Sequence, residues 1–579
     1  GGTGNDYGDL LVGRPALFLQ STSAPDEDWA FWNFEGYVQD SWKVRRTLTL
    51  DIGLRVAKMP NNEERNGLAA RLEPAAYDPT EGPYLDGDPR RPNGFLLASR
   101  GEIPRGITED PGLKLMPRFN FAWDVRGRGD LTLRGGVGLF YNRPQGIFQY
   151  MVGSMAPNQH NLTLYWWDLP GGLRYGNVGT VDPWSRVAAS AADSVDAAAF
   201  ALPRTWNWSL ALAQRLPWRQ TVEVAYVGHR ADHLPNRTLS NYVPPGRLTG
   251  TVGNADLDNP IHRAALDASV LAGFRTFPAY GDSWWYQYRA SSTYHALQVS
   301  LVRQAGRHVQ YHLNYTFGKA LGTTGGDYAV IDPIDPRGRS YGRLPQDRTH
   351  AFNASYSLLL PDSMARGPAI LRHLLSGWQV SGITTYRSGM PFRVGFSGAL
   401  AQLDQMALAW YGTDGHADYD RTVSSGAITP VFTADPRLGG RGVGDRILDL
   451  GRIRVPTLGE TGPFQQPYDF RYPGRWNFDL SIFKSFALGG AKRLQLRVGF
   501  FNLFNQAAPS PAWNDIDLDL RTECNVRVDG VPNGAGGTVD GVCDPTQGFH
   551  FTDLTRESFG RIKAKHGHRV IELAARFDF

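Results

Sequence analysis

Asp515, Asp517 and Asp519 alternate with Ile516 and Leu518, so an extended strand would carry three carboxylates on one face. Hard oxygen ligands so arranged are Ca²⁺ chemistry. The glycine and terminal Glu of a helix-loop-helix calcium site are missing, so a solvated loop is expected instead. Gly439-Gly440-Arg441-Gly442-Val443-Gly444 has the glycine content of a phosphate cradle. No Lys-Ser/Thr follows it and it does not join a strand to a helix, so it reads as a flexible loop. His229 and His233 stand four apart at a strand end, without the Glu of a zinc hydrolase. His566 and His568 fall on one face of the final strand and read as a solvated rim. There is no Gly-x-Ser-x-Gly elbow and no acid/base pair with a fixed frame. The expectation is a protein that is not an enzyme, with no catalytic residue, metal or cofactor.

The two cysteines, Cys524 and Cys543, are separated by eighteen residues in one long connection. So few thiols fit an oxidising compartment. A bridge would close a loop of about twenty residues and stabilise the ordered state by about 3 kcal/mol in the chain-entropy model. No flanking His or Cys stands at zinc spacing, so a disulfide is favoured over free thiols or a metal pair.

These residues must be positioned by elements that composition alone does not reveal. The chain has 579 residues, room for several soluble domains or one very large barrel. Hydrophobic residues make up 41%, and the mean hydropathy is −0.35. No stretch approaches about 18 uncharged apolar residues, so no transmembrane helix is expected. Barrel strands need only about 9–11 residues and dilute their apolar content by alternation. Net charge is +4 and no Lys/Arg run dominates, which argues against nucleic acid. The chain opens Gly1-Gly2-Thr3-Gly4 without a signal peptide, and is expected to be a processed or truncated piece of something longer.

Alternation with period two recurs along the chain. Leu48, Leu50, Ile52, Leu54 and Val56 alternate with Thr49, Asp51, Gly53 and Arg55. Val309, Tyr311, Leu313, Tyr315 and Phe317 alternate with Gln310, His312, Asn314 and Thr316. At the end, Ile571, Leu573, Ala575, Phe577 and Phe579 oppose Glu572, Ala574, Arg576 and Asp578. Strands are expected in pairs: 29–42 with 48–56, 118–124 with 131–141, 205–215 with 221–229, 294–303 with 308–317, 350–360 with 377–386, and 475–486 with 493–504. The last strand is 568–579. That makes about thirteen, or fourteen with Pro15 to Gln20 in front.

Within pairs the connections are mostly a few residues long, through Leu216-Pro217-Trp218-Arg219, Ala305-Gly306 or Leu488-Gly489-Gly490; 361–376 is the exception. Between pairs they are long, near 59–113, 144–202, 232–290, 318–348, 389–472 and 506–566, and rich in Gly, Pro, Asp, Asn and Trp. Soluble domains rarely hold so many long loops, whereas outer-membrane barrels have short periplasmic turns and long extracellular loops. The fold expected is all-β, an antiparallel transmembrane β-barrel in one domain over 1–579, its C-terminus on the periplasmic side. Trp32 with Trp42, and Trp206 with Trp218, bracket single strands. Ten to twelve residues of tilted strand rise about 25–30 Å, near the height of the apolar band between two interfacial belts.

Several segments resemble barrel strands of TonB-dependent receptors. They are Tyr37-Val38-Gln39-Asp40-Ser41-Trp42-Lys43, Leu48-Thr49-Leu50-Asp51-Ile52-Gly53-Leu54-Arg55, Pro117-Arg118-Phe119 with Leu133-Arg134-Gly135-Gly136-Val137-Gly138, and Val224-Ala225-Tyr226-Val227-Gly228. Tyr294-His295-Ala296-Leu297-Gln298, Tyr315-Thr316-Phe317-Gly318-Lys319-Ala320, Ser376-Gly377-Trp378-Gln379-Val380-Ser381-Gly382 and Phe501-Asn502-Leu503-Phe504-Asn505 complete the set. In collinear order they are similar to the Oar-like branch of that family. The resemblance implies a 22-stranded barrel filled by an N-terminal plug, importing a scarce solute with energy from the TonB system. No plug-like segment or TonB box precedes these strands, so the chain reads as the C-terminal part of the barrel, with the remaining strands supplied from upstream.

The terminal strand, with Leu573, Ala575, Phe577 and Phe579, resembles the insertion signal read by the barrel-assembly machinery. Arg55, Arg134, Gln310, His312, Asn314, Arg497 and Glu572 are lumen-facing by parity. The partners implied are outer-membrane lipid of a Gram-negative-type cell, the TonB system through the plug region, an unidentified solute, and a lipoprotein or other loop-binding partner. Two alternatives stand beside transport: a structural or adhesive outer-membrane barrel, and a secreted all-β carbohydrate-active enzyme.

Overall fold

Clean alternation becomes strand wherever the sequence carries it. A computed structural model describes residues 5–88, 90–143, 146, 149–150, 155–165, 169, 171–181, 191–304, 308–323, 326, 329–360, 368, 374–401, 403–415, 428–464, 466–489 and 492–579. Thirteen strands follow one another in chain order, each antiparallel to the next. They are β1 (Phe34–Arg45), β2 (Leu48–Lys58), β3 (Leu113–Asp124), β4 (Leu131–Tyr141), β5 (Arg204–Leu216), β6 (Gln220–Leu239) and β7 (Trp284–Arg303). The series continues with β8 (Val309–Gly322), β9 (His350–Leu359), β10 (Trp378–Arg387), β11 (Arg475–Gly489), β12 (Lys492–Phe501) and β13 (Val570–Asp578). Among the described residues, β1 and β13 each pair with one neighbour on this path. No helix described is long and apolar enough to cross a membrane.

Register carries the alternation of each strand into a property of the whole sheet. Ile52, Phe119, Val137 and Trp208 stand in one row across β2 to β5. Leu210, Tyr226, Leu297 and Phe317 continue across β5 to β8. Tyr315, Phe352, Tyr386 and Trp476 run across β8 to β11, and Leu480, Phe500 and Ile571 reach β13. Partners opposite each other point to the same side, so one face is mainly apolar, interrupted by Asp40 opposite Ile52 and by Lys484 opposite Trp378. Among the described residues no second layer covers it: Ile52, Phe119, Leu210, Tyr226, Leu297, Phe317 and Leu573 are all exposed. On the other face, Glu223, Ser300, Asn314, Asn353, Thr385 and Asn477 form a polar row across β6 to β11.

Two glycines admit bulky partners on the apolar face. A Cβ at Gly228 would lie 2.6 Å from the Trp208 indole, and one at Gly382 would lie 2.6 Å from the Tyr356 hydroxyl. Each ring lies across the gap left by its directly opposed glycine.

Connections alternate strictly between short (46–47, 125–130, 217–219, 304–308, 360–377, 490–491) and long (59–112, 142–203, 240–283, 323–349, 388–474, 502–569). Alternate connections of a meander fall at opposite ends, so the long ones share one end. Contacts agree. Ala264, Met406, Trp410, Val531 and Phe549, from three long connections, form one core. Leu72, Phe95, Ala156, Phe277 and Tyr280 form another. The Ala305-Gly306 turn, Gly490, and 361–367 with 369–373 lie outside the described residues.

The strand pairs differ from the sequence expectation at their long-loop ends. β6 and β7 are 20 residues each, running past His229 and starting before Tyr294 into the expected 232–290 loop. His233 takes φ +57°, and register shifts fall between Ala231, Leu234 and Asn236. This irregularity breaks the period that marks a strand. Leu17–Ser21 is a strand, but it pairs with Asn161–Tyr165 and stands apart from the main sheet. His566 and His568 both precede β13, which begins at Val570, instead of standing on one face of it.

Candidate functional site

The polar face holds all seven residues singled out by parity. Opposite pairing links Arg55 to Met116, Arg134 to Ala122, His312 to Ser355, Arg497 to Ala574 and Glu572 to Gly499, all on this side of the sheet. They do not converge on one point. Arg55 is ion-paired with Glu35 on β1, and Arg134 with Glu223 on β6. Arg497 lies 4.7 Å from the Phe483 ring centre. Glu572 is exposed on β13, diagonal to Arg497.

Gln310 and His312 instead line a hollow of about 550 Å³ on this face, with Ser355, Ser357, Ser381 and Asp479 from β9, β10 and β11. His312 Nε2 is 3.2 Å from Ser300 Oγ. Ser381 Oγ donates to Ser357 Oγ at 3.0 Å, and Gln379 Nε2 donates to Ser357 Oγ at 2.9 Å. Asp479 accepts from Asn477 Nδ2 and from the Asn502 backbone N–H. Hydroxyls and amides that bond one another can exchange those bonds with a passing polar solute. Sequence reading missed Ser355, Ser357, Ser381 and Asp479, because register, which brings four strands together, is not legible in one strand.

The other residues marked for chemistry lie in the long-loop cap. Cys524 and Cys543 are disulfide-bonded, with Cα atoms 5.8 Å apart, and Cys543 is buried beside Val531 and Phe549. Two of the three aspartates depart from the expected solvated loop: Asp515 and Asp517 are buried, while Asp519 opens a short strand and keeps its side chain partly exposed. Asp517 accepts from Arg521 and Lys563, each at 3.0 Å, and from Ser558. Burial alone would raise its pKa, but these donors outweigh it and hold the carboxyl at about 2. Asp515 accepts from the Ser510 backbone N–H and contacts His566 Nε2 at 2.8 Å. Protein donors therefore occupy the oxygens that a cation would need. The Gly439–Gly444 run is braced by Asp445, which accepts from the Arg441 and Gly442 N–H groups. His229 lies in β6 with its ring against Tyr294, and His233 stands at the bulge.

The sequence model of the outer membrane beta barrel domain matches residues 1–568. The chain belongs to this family. Its place is the outer membrane of a Gram-negative-type cell, and the secreted alternative is set aside. No curated protein matches in sequence. Among solved structures, the ferric-catecholate import receptor Fiu of E. coli K12 shares 10% identity at a TM-score of 0.36, over 94% of this chain and 44% of its own. The copper transporter OprC shares 9% at 0.35, over 95% and 48%. The outer membrane transporter YddB of Escherichia coli shares 8% at 0.38, over 83% and 51%. The chain thus spans about half the length of these structures.

Proposed function

We propose that this barrel domain is the wall of a TonB-dependent outer-membrane transporter or receptor that imports a polar solute. The observation that carries the reading is the single polar face running through thirteen strands opposite a single apolar face. With the apolar face in lipid, the polar face lines the lumen. Arg55, Arg134, Gln310, His312, Asn314, Arg497 and Glu572 then stand along the route, and the hollow at Gln310 and His312 is a stopping place on it. The long loops capture the solute, and a plug region gates it. Residues 1–579 act as one unit, part of a 22-stranded barrel, and the strand ending at Phe579 is its signal to the barrel-assembly machinery.

The test is uptake. The natural full-length protein, expressed in a Gram-negative host with and without TonB, is screened against labelled scarce solutes. Energy-dependent uptake that disappears without TonB is the expected result. Absence of uptake, with surface adhesion retained, would favour a structural or adhesive barrel.

A further inference from the structure

Another hollow, of about 510 Å³, lies in the cap where the ends of β6 and β7 meet the 240–283 and 323–349 connections. Its rings are Tyr242, Phe277, Trp285 and Tyr341. Trp285 stands opposite Thr238 in register, and Phe277 meets its ring edge-on with centres 6.3 Å apart. The segment from the 323–349 connection is fastened to β6. Ile331 N–H donates to the Arg237 carbonyl at 2.9 Å, and Thr238 Oγ1 donates to the Ile331 carbonyl at 2.7 Å. Phe277 is held by Asn241, whose Oδ1 accepts from the Phe277 N–H at 2.8 Å. The fold therefore shapes this hollow in advance, at the size of a small-molecule site.

Its walls carry hydroxyls that the protein does not use. Ser240 lines the hollow at 3% exposure, and among the described residues its Oγ has no hydrogen-bond partner. A stranded buried hydroxyl costs stability until something bonds it. The Tyr242 and Tyr341 hydroxyls likewise make no hydrogen bond among the described residues. Burial, then the carboxylates of Asp332 and Asp414, push the Tyr242 phenol above its ordinary range, so it stays a neutral donor. Thr323 Oγ1 accepts from the Ser291 N–H at 3.0 Å, which leaves its own proton to give. The charges, by contrast, are matched within the protein. Asp332 pairs with Arg339 at 2.6 Å, and Arg289 with Asp196 at 3.4 Å. Arg337 is exposed and lies over the Tyr341 ring. The fitting ligand both gives and takes neutral hydrogen bonds and has apolar faces for the rings. A pyranose has hydroxyls around its edge and C–H groups on its faces.

We propose that this hollow binds a saccharide. Ser240, Tyr242 and Tyr341 take its hydroxyls, and Trp285 takes a C–H face. The proposal rests on the import reading in making carbohydrate the imported solute; the binding itself needs no TonB.

The test is saturation-transfer NMR on the natural full-length protein, in a detergent without a sugar head, with maltose, cellobiose, lactose and N,N′-diacetylchitobiose as probes. At least one should receive saturation, and Ser240→Ala and Tyr341→Phe should each weaken its binding about fivefold. Ser240→Ala should also raise the thermal midpoint of the free protein, because it removes a stranded hydroxyl. Trp513→Ala, at an exposed indole elsewhere in the cap, should leave binding unchanged. No transfer to any of these sugars, binding unchanged in both hydroxyl variants, or a midpoint lowered by Ser240→Ala would each overturn the proposal. Sugar binding without TonB-dependent uptake would uphold this site and count against import. TonB-dependent uptake of another solute, with no sugar bound, would do the reverse.

Discussion

Lys484 lies opposite Trp378 across β10 and β11, its ammonium 5.3 Å from the indole centre and hydrogen-bonded to the Leu374 carbonyl at 3.1 Å. The pair sits on the apolar face close to a short connection. A cation there is compatible with lipid only because its ammonium lies over the rings of Trp378 and Phe486 and ends on carbonyls.

Moving that charge along the face should therefore be costly. Leu480→Lys, mid-strand between Gly382 and Phe500, should destabilise the barrel by about 2–4 kcal/mol in refolding into lipid vesicles. Lys484→Met should change it by less than about 1 kcal/mol. Equal effects would mean that the face does not meet hydrocarbon.

Two buried carboxylates in the cap should titrate with opposite sign. Asp517 is held at about 2, below its ordinary 3.8, so its stabilisation is complete above pH ~4 and is lost as pH falls toward ~2, by about 2 kcal/mol. Asp193 accepts from the Trp284 N–H and the Tyr286 hydroxyl, yet burial pushes it up to about 6. The native state there favours the proton, so docking of that segment weakens as pH rises from about 4 to about 6, by up to about 3 kcal/mol. Hydrogen exchange should show protection near Asp517 falling in acid and protection near Asp193 rising. Asp517→Asn and Asp193→Asn should flatten the respective slopes.

Reducing Cys524–Cys543 should loosen the cap without touching the sheet. The bridge closes a separation of 19 residues, worth about 3 kcal/mol to the ordered loop. Limited proteolysis should cut between residues 525 and 542 only after reduction, with the strand content by circular dichroism unchanged.

Gly228→Val should displace the Trp208 indole and cost about 1–3 kcal/mol of unfolding free energy, read as a lower urea midpoint at unchanged slope. Gly36→Ala, where an added Cβ meets nothing within 4 Å, should be nearly neutral.

The sheet was legible because a strand with two unlike faces declares itself by alternation, as from Leu48 to Val56 and from Val309 to Phe317. The strand extensions were not. Beyond His229 a bulge breaks the period, and Tyr286 and Tyr288 are buried under loops instead of alternating with solvent-facing neighbours. The long connections read as open loops, yet they fold together. Gly395–Gly398 pairs parallel to Asp519–Cys524, and Met406 and Trp410 share a core with Val531 and Phe549. Such contacts join residues more than a hundred positions apart and leave no local periodicity. The polar face was half legible: parity found Gln310 and His312, but only register brings Ser355, Ser381 and Asp479 beside them.

The account turns on which way the apolar face points. Single cysteines at residues 310–317 of β8, spin-labelled in the protein reconstituted in lipid bilayers, give the most direct reading. Oxygen, which concentrates in hydrocarbon, should relax labels at 311, 313, 315 and 317, and a water-soluble nickel complex should relax those at 310, 312, 314 and 316. Loss of that two-residue period, or its reversal, would contradict the account.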